Sequence, residues 1–311
     1  MKLSLSTNWC ARLVDDGEAI AEKAAELGFE ELELGYATTE TQLLGIKRRI
    51  DSIPVGSLHA FCPVPISAPH AHPELYQLAS LNRDEIEIAR VHLVKCIETA
   101  ADIGADAVVL HAGRASFNGL FDNLSSHQLS EILRAGHGNA KAVRYMKKLS
   151  LAIKRRNRHS IALLDNFRKT LDRIVPILEQ HSVTLALENM PYLEGFPDEN
   201  EMKALLDTFA GAPIKAWFDT GHHLVRMNHG WIRNKLPFKA SALAGMHMND
   251  VKDFSDDHLA PGEGNVDFAA LGETAKQVKH IVFEPSSAVS EESLRCSLQY
   301  IRDLWRLAPC R

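Results

Sequence analysis

Apolar residues along the chain fall into two kinds of run that alternate from end to end. Short aliphatic runs of five to eight residues are separated by longer stretches whose apolar positions recur three and four apart. The short runs are "LSLST" (3–7), "ELELGY" (31–36), "VGSLHAF" (55–61), "AVVLHAG" (107–113), "TLALEN" (184–189), "KAWFDT" (215–220), "LAGMHMND" (243–250) and "HIVFEP" (280–285). Period and length make these runs strands and the longer stretches helices, and strict alternation predicts a parallel sheet. Eight such units in 311 residues somewhat exceed the roughly 250 residues of a typical (β/α)8 barrel. They predict one α/β TIM-barrel domain over residues 1–311 rather than an open doubly wound sheet.

Helix punctuation agrees with this reading. The stretches 18–28 and 85–104 both close on glycine, Gly28 and Gly104, as helix C-termini often do. One interval breaks the rhythm. About 70 residues separate the fourth and fifth strands, far more than one helix needs. The surplus, about 116–159, predicts a helical insertion at the catalytic face, followed by a regular barrel helix over 161–181 that Pro176 should kink. The basic cluster Lys147, Lys148, Lys154, Arg155, Arg156 and Arg158 reads as a solvated helix face and linker.

Composition narrows the class without naming a function. With 45% hydrophobic and 24% charged residues the chain is globular rather than disordered or fibrous. The N-terminus lacks a run of signal-peptide length, and no segment approaches the roughly 18 apolar residues of a membrane span. A cytoplasmic protein without a membrane partner is expected. Five cysteines (Cys10, Cys62, Cys96, Cys296, Cys310) are scattered and without a C-x-x-C pair, which predicts reduced thiols. A net charge of -5 disfavours general nucleic-acid affinity, although it leaves room for a basic groove. Self-association into a homo-oligomer is compatible with all of this.

Strand parity locates the chemistry. Alternate side chains of a strand face the same way. Counting back from the polar residue near each strand's end, the inward sets are Val55, Ser57, His59; Ala107, Val109, His111; Thr184, Ala186, Glu188; Lys215, Trp217, Asp219; Leu243, Gly245, His247; and His280, Val282, Glu284. The opposite parity (Leu58, Leu110, Leu185, Leu187, Phe218, Met246, Phe283) is apolar and should pack on the helices. Six consecutive strands thus end in an inward His, Asp or Glu. Buried carboxylates and imidazoles are costly unless paired or coordinated, and active sites of this fold sit at the C-terminal ends of the strands. A shared divalent cation answers both facts.

Two loops extend the set. In "FDTGHH", His222 follows Asp219 by three residues, so a turn at Gly221 can return it to the same face, whereas His223 should point away. In "HMNDVKDFSDDHLAPGEG" (247–264), Asp256 and His258 can project to one side of an extended loop held by Pro261, Gly262 and Gly264. Asp250, Asp253, Asp257 and Glu263 are expected to be mostly solvated.

The order "SLHAF", "VVLHAG", "LENMP", "FDTGHH", "HMND", "DDHLAPGEGNVDF", "FEP" resembles the xylose-isomerase-like superfamily of TIM barrels over its third to eighth strands. That superfamily includes sugar isomerases, sugar and sugar-phosphate epimerases, inosose dehydratases and the endonuclease IV class of DNA-repair enzymes. The resemblance implies an epimerase-type metal set of Glu188, Asp219, His247 and Glu284, with His222 beside them. Likeness to endonuclease IV implies further zinc ligands at His59, His111, Asp256 and His258, so one to three ions are implied. Against DNA repair, "HAFCPVPISAPH" lacks the aromatic-plus-aliphatic wedge of the repair enzymes. In addition, "PGEGNVDF" has the ending familiar from the epimerase-like proteins, and the basic residues lie in an insertion foreign to the pattern.

The implied chemistry is proton transfer on a small carbohydrate: a sugar, sugar phosphate or related keto-sugar chelates the metal through a carbonyl and a hydroxyl. Glu188 and Glu284 then remove and return the proton. Nitrogen and oxygen ligands with several histidines favour Zn, Mn or Co over Mg. The alternatives are an endonuclease IV-like phosphodiesterase and a barrel that binds a metal chelate without turnover. Arg114, Lys252 and Tyr192 are candidate substrate contacts, and Trp9, Cys10, Tyr36, Phe61 and Trp231 are candidates for the pocket lining.

Overall fold

A computed structural model describes residues 1–66, 68–116, 125–135, 139–254 and 258–307. In chain order its strands are β1 (Ser4–Ser6), β2 (Glu31–Leu34), β3 (Val55–His59), β4 (Ala107–Leu110), β5 (Gly113–Arg114), β6 (Thr184–Glu188), β7 (Gly195–Phe196), β8 (Ile214–Asp219), β9 (Leu243–Met248) and β10 (His280–Phe283). Between them run α1 (Gly17–Leu27), α2 (Glu40–Lys47), α3 (Arg83–Asp102), α4 (Ser126–Arg134), α5 (Asn139–His181), α6 (Glu199–Thr208), α7 (Thr220–Asn228), α8 (Phe268–Ala275) and α9 (Glu291–Trp305). Eight parallel strands close in the order β1-β10-β9-β8-β6-β4-β3-β2, and each of the eight predicted runs supplies one of them. The short pair β5 and β7 is antiparallel and joins the loops that follow β4 and β6.

Local sequence explains the boundaries of the elements. Asp16 caps α1 by accepting from the Glu18 amide, and α1 ends at Gly28, whose φ of 96° suits glycine. At α2, Thr39 and Gln42 form a reciprocal capping box. The outward parity, Leu58, Leu110, Leu185, Leu187, Phe218, Met246 and Phe283, joins the main core beneath the helices. The barrel interior is filled by small residues, Ala107, Val109, Ala186, Ala244 and Val282, around the ring of Trp217. Gly245 is needed there, because a Cβ on it would lie 2.2 Å from Trp217 Cζ3.

Parity fails where β8 and β9 shift register: Ala216 pairs with Leu243 but Trp217 with Gly245. The extra residue sends Leu243 into the outer core while Ala244 joins the interior. Lys215, expected inward, is exposed at the start of β8.

The region between β4 and β6 also differs from expectation. Residues 117–124 and 136–138 of the expected insertion lie outside the described residues. The rest forms α4 and the first part of α5, and α5 runs without a break into the barrel helix for 43 residues, roughly 65 Å at about 1.5 Å per residue. Pro176 lies inside this helix without ending it. Its C-terminal half buries Leu163, Phe167, Leu171, Ile174 and Leu178 against the barrel. Its N-terminal half packs Tyr145, Leu149 and Ala152 on Leu129 of α4 and on Leu193. Nor is the basic cluster a solvated linker throughout, because Arg156 is only 2% exposed. Its guanidinium pairs with Asp198 at 3.1 Å and Glu201 at 2.7 Å, and donates to the carbonyls of Leu193 and Gly195. Among the described residues, no helix is long and apolar enough to cross a membrane.

Candidate metal centre

Glu188, the last residue of β6, is fully buried at the centre of the barrel mouth. Its two carboxylate oxygens face different partners. Oε1 lies 2.9 Å from Nδ1 of His247, at the end of β9, and 3.7 Å from Nδ1 of His222 in α7. Oε2 lies 3.2 Å from Nε2 of His59, at the end of β3, and 2.9 Å from Nε2 of His111, which follows β4. Glu284, just beyond β10, brings Oε2 to 3.1 Å from the same His247 Nδ1, and Asp219 Oδ2 stands 3.9 Å from it. Two donor groups therefore share Glu188: Glu188, Asp219, His247 and Glu284, and His59, His111 and Glu188, each with its ligand atoms within 4.8 Å of one another.

A ring of polar residues holds these donors in place. Asp219 ends β8 and caps α7, accepting from the His222 amide at 2.7 Å. Asn189 brackets the same turn by bonding both the amide and the carbonyl of Asp219, and Asn249 donates to Asp219 Oδ2 at 2.6 Å. Gly221 makes this possible, since a Cβ there would meet Asn249 Oδ1 at 1.8 Å. His247 turns its other nitrogen, Nε2, to Glu33 of β2 at 3.0 Å, and Ser57 donates to Glu33 in turn. Asn8 donates to Glu284 Oε1. The Trp217 ring meets His247 edge-on, with centroids 5.1 Å apart, and forms the floor beneath it.

The electrostatics follow from burial and from these contacts. Burial alone would drive His247 down, but Glu284, Glu33 and Glu188 outweigh it and hold the imidazole well above its ordinary value. Burial would raise Glu188, yet His247 and His111 keep it well below the usual carboxylate range. At Asp219 burial prevails over the nearby histidines and pushes the carboxyl up to about 6. Three buried carboxylates around one imidazole nitrogen form a group that could hold a divalent cation. His247, with Nδ1 toward the donors and Nε2 on a carboxylate, has the arrangement of an oriented ligand histidine.

The remaining expected site residues are placed as follows. His222 donates through Nδ1–H to the Asn189 carbonyl at 2.8 Å, and its ring lies 5.6 Å from that of His258. His258, with a φ of 42°, contacts the Glu284 carbonyl through Nδ1. Asp256 and Asp257 lie outside the described residues. The mouth encloses about 170 Å³ and is lined by Tyr36, Arg114, Tyr192, His222 and His258 among others. Arg114 is paired with Glu74 and stacks 4.0 Å over the Tyr192 ring. Lys252, by contrast, is exposed, and among the described residues its carbonyl accepts from Asn265; it does not line the mouth, because the chain reaches the surface only after the buried Asp250 and Val251. Trp9 and Cys10 belong to the main core, Phe61 lines a separate recess with His92, and Trp231 packs on α5 through Tyr145. His223 faces away from the mouth, with Nε2 on the Asn234 carbonyl.

Asp250 is not solvated as expected. It is fully buried and accepts from the amides of Val251, Gly262, Gly264 and Val266, closing the loop that carries His258. Glu33, Asn189 and Asn249 were likewise missed. Glu33 carried a signal, since Glu31 and Glu33 alternate with Leu32 and Leu34 in "ELELGY".

Residues 21–304 match the family model described as "Xylose isomerase-like TIM barrel". Among solved structures the chain is similar to a D-tagatose 3-epimerase-like protein (21% identity, TM-score 0.66, covering 98% of this chain and 97% of that one). It is also similar to D-psicose 3-epimerase from Clostridium cellulolyticum H10 (15%, TM-score 0.63, 98% of each). A third is the IOLI protein with a bound zinc atom (13%, TM-score 0.64, 98% of each). An uncharacterised protein of Methanocaldococcus jannaschii is 28% identical over 136 residues, 43% of this chain and 45% of that one. A second from the same organism is 24% identical over 46% of this chain and 55% of its own length. The chain thus spans about half the length of these curated relatives.

Proposed function

The chain belongs to the xylose isomerase-like TIM-barrel family, and from that premise we propose that it is a divalent-metal-dependent isomerase or epimerase of a sugar or related keto-sugar, acting in the cytoplasm. The observation that carries this reading is the convergence of Glu188 and Glu284 on His247 Nδ1, at 2.9 and 3.1 Å, with Asp219 completing the set. The likeness to epimerase structures supports the same reading.

Glu188, Asp219, His247 and Glu284 would hold the cation. When bound, the cation supplies a Lewis acid that polarises a substrate carbonyl and acidifies the neighbouring C–H. Glu188 ends β6 and Glu284 follows β10, so the two enter the site from different parts of the barrel. One takes the proton from the substrate carbon, and the other returns a proton to the same or the adjacent carbon. Glu33 keeps His247 oriented, and Arg114 and Tyr192 wall the side from which substrate enters. The test is incorporation of solvent deuterium into a panel of ketoses and ketose phosphates by the Zn-, Mn- or Co-loaded protein. Incorporation at one carbon, lost in Glu188→Gln and Glu284→Gln, is the expected result; none with any substrate would sink the proposal.

One observation favours a second reading. His59 and His111 address the other oxygen of Glu188, so these three residues would hold a second cation, and two cations would together supply the charge neutralisation used in two-metal phosphodiester hydrolysis. Two or three metal ions per chain together with cleavage of a duplex containing an abasic site would select this reading. One ion per chain and an intact duplex would remove it.

A further inference from the structure

Beside the metal mouth lies a second lobe of about 210 Å³. Tyr36, His258 and Glu284 line both spaces, so the two adjoin. The rest of the lobe comes from loops at the same end of the barrel. Arg12 is in the turn after β1, His258 in the loop after β9, and Ser286 and Ser287 in the loop after β10. In chain order β9 and β10 are the seventh and eighth barrel strands, and the loops after those strands frequently form a phosphate site in this fold.

Arg12 sets the charge of the lobe. Its side chain is exposed and donates to the Ala71 carbonyl at 3.2 Å, and among the described residues it pairs with no carboxylate. Asp16, close by in sequence, is turned instead to the Glu18 amide as the cap of α1. Arg114, the arginine of the mouth itself, is neutralised by Glu74. Glu284 borders the lobe, but its oxygens are engaged by Asn8 and, on the metal side, by His247 Nδ1. The charge of Arg12 is felt in the mouth: burial, Arg114, His70 and Arg12, in that order, hold His72 below its ordinary value, and His72 lines the mouth. The hydroxyls of Ser286 and Ser287 make no hydrogen bond among the described residues.

An accessible guanidinium without a carboxylate, flanked by two hydroxyls, is matched by an oxyanion. Guanidinium bonds to phosphate and carboxylate are charge-assisted and often bidentate, and serine hydroxyls can donate to the remaining oxygens. We propose that this lobe is an anion subsite, and that the substrate is a ketose bearing a terminal phosphate or carboxylate that sits on Arg12, Ser286 and Ser287. Assigning the anion to the substrate rests on the proton-transfer reading above; binding of an anion by the lobe does not.

The test compares D-fructose with D-fructose 6-phosphate and D-fructuronate on the Mn-loaded, full-length protein, by calorimetric titration and by solvent deuterium incorporation. At least one charged ketose should bind about tenfold tighter than D-fructose, and which one does so tells phosphate from carboxylate. That preference should collapse toward unity in Arg12→Gln and be largely kept in Arg12→Lys. If Arg12 only held the Ala71 segment in place, Arg12→Gln would weaken all three ligands alike and leave the ratio standing. Equal binding of all three, no binding of either charged ketose, or a preference untouched by Arg12→Gln would each overturn the proposal; the last is what direct coordination of the anion by the metal would give. Deuterium incorporation into D-fructose with no preference for a charged ketose would remove the subsite and keep the reaction. An Arg12-dependent preference in binding with no incorporation into any of the three would keep the subsite and count against the reaction.

Discussion

Glu33 acts on the site through His247. A fully buried carboxylate 3.0 Å from His247 Nε2 fixes which ring nitrogen carries the proton and leaves Nδ1 free for a cation. Partners of this kind change metal affinity by about 10- to 100-fold when lost. Glu33→Gln should therefore weaken Zn or Mn binding by about that factor in chelator-competition titrations, while the metal-free protein keeps its fold by circular dichroism. An unchanged affinity would reduce Glu33 to a packing residue. Parity made His59, His111, Glu188, Asp219, His247 and Glu284 legible in the sequence, because each is the last inward residue of its run and carries an imidazole or a carboxylate. In "ELELGY" the same rule reaches Glu33. It could not reach Asn189, Asn249 or Asp250, which lie beyond strand ends, where backbone geometry, not period two, sets direction. A second change tests the floor of the site. Gly245→Ala puts a methyl 2.2 Å from the buried Trp217 ring, and such overpacking costs about 1–3 kcal/mol, readable as a lower urea midpoint.

Among the elements, α5 shows where sequence period is silent. Apolar spacing identifies helix on either side of residues 155–159 but cannot say whether a basic stretch between them is a solvated linker or continuous helix. Arg156 decides it, because its partners Asp198 and Glu201 come from the N-terminus of α6, about 40 residues later in the chain. There Asp198 and Glu201 also form the capping box of α6. The guanidinium thus clamps α5 to the start of α6 and to the 193–195 segment that leads on from Tyr192. Removing one member of a buried ionic network leaves the others uncompensated, at about 3–5 kcal/mol. Arg156→Ala should lose stability on that scale in denaturant titrations and raise protease sensitivity within the first half of α5. Replacing the exposed Arg158 in the same way should do neither, since surface changes of this kind usually stay within about 0.5 kcal/mol.

For the molecule as a whole, the barrel gathers donors from strands scattered along the chain, so a cation at its mouth stabilises the closed barrel rather than one segment. Any ligand that binds only the folded state adds RT ln(1 + [L]/Kd), about 2.7 kcal/mol at a hundredfold excess over Kd. Chelation should therefore lower the melting temperature, and adding back Zn, Mn or Co should restore it with a concentration-dependent shift. The shift should vanish in Asp219→Asn, which keeps an acceptor for the His222 amide but loses the charge next to His247. It should persist in His59→Gln if the Glu188, Asp219, His247 and Glu284 group alone holds the ion. If His59→Gln instead halves the metal content measured by mass spectrometry, Glu188 bridges two ions, and the balance moves from proton transfer toward hydrolysis. A melting temperature indifferent to chelator and metal alike would mean that the converging carboxylates are balanced by protons on His247 and Asp219, and the proposed reaction would lose its Lewis acid.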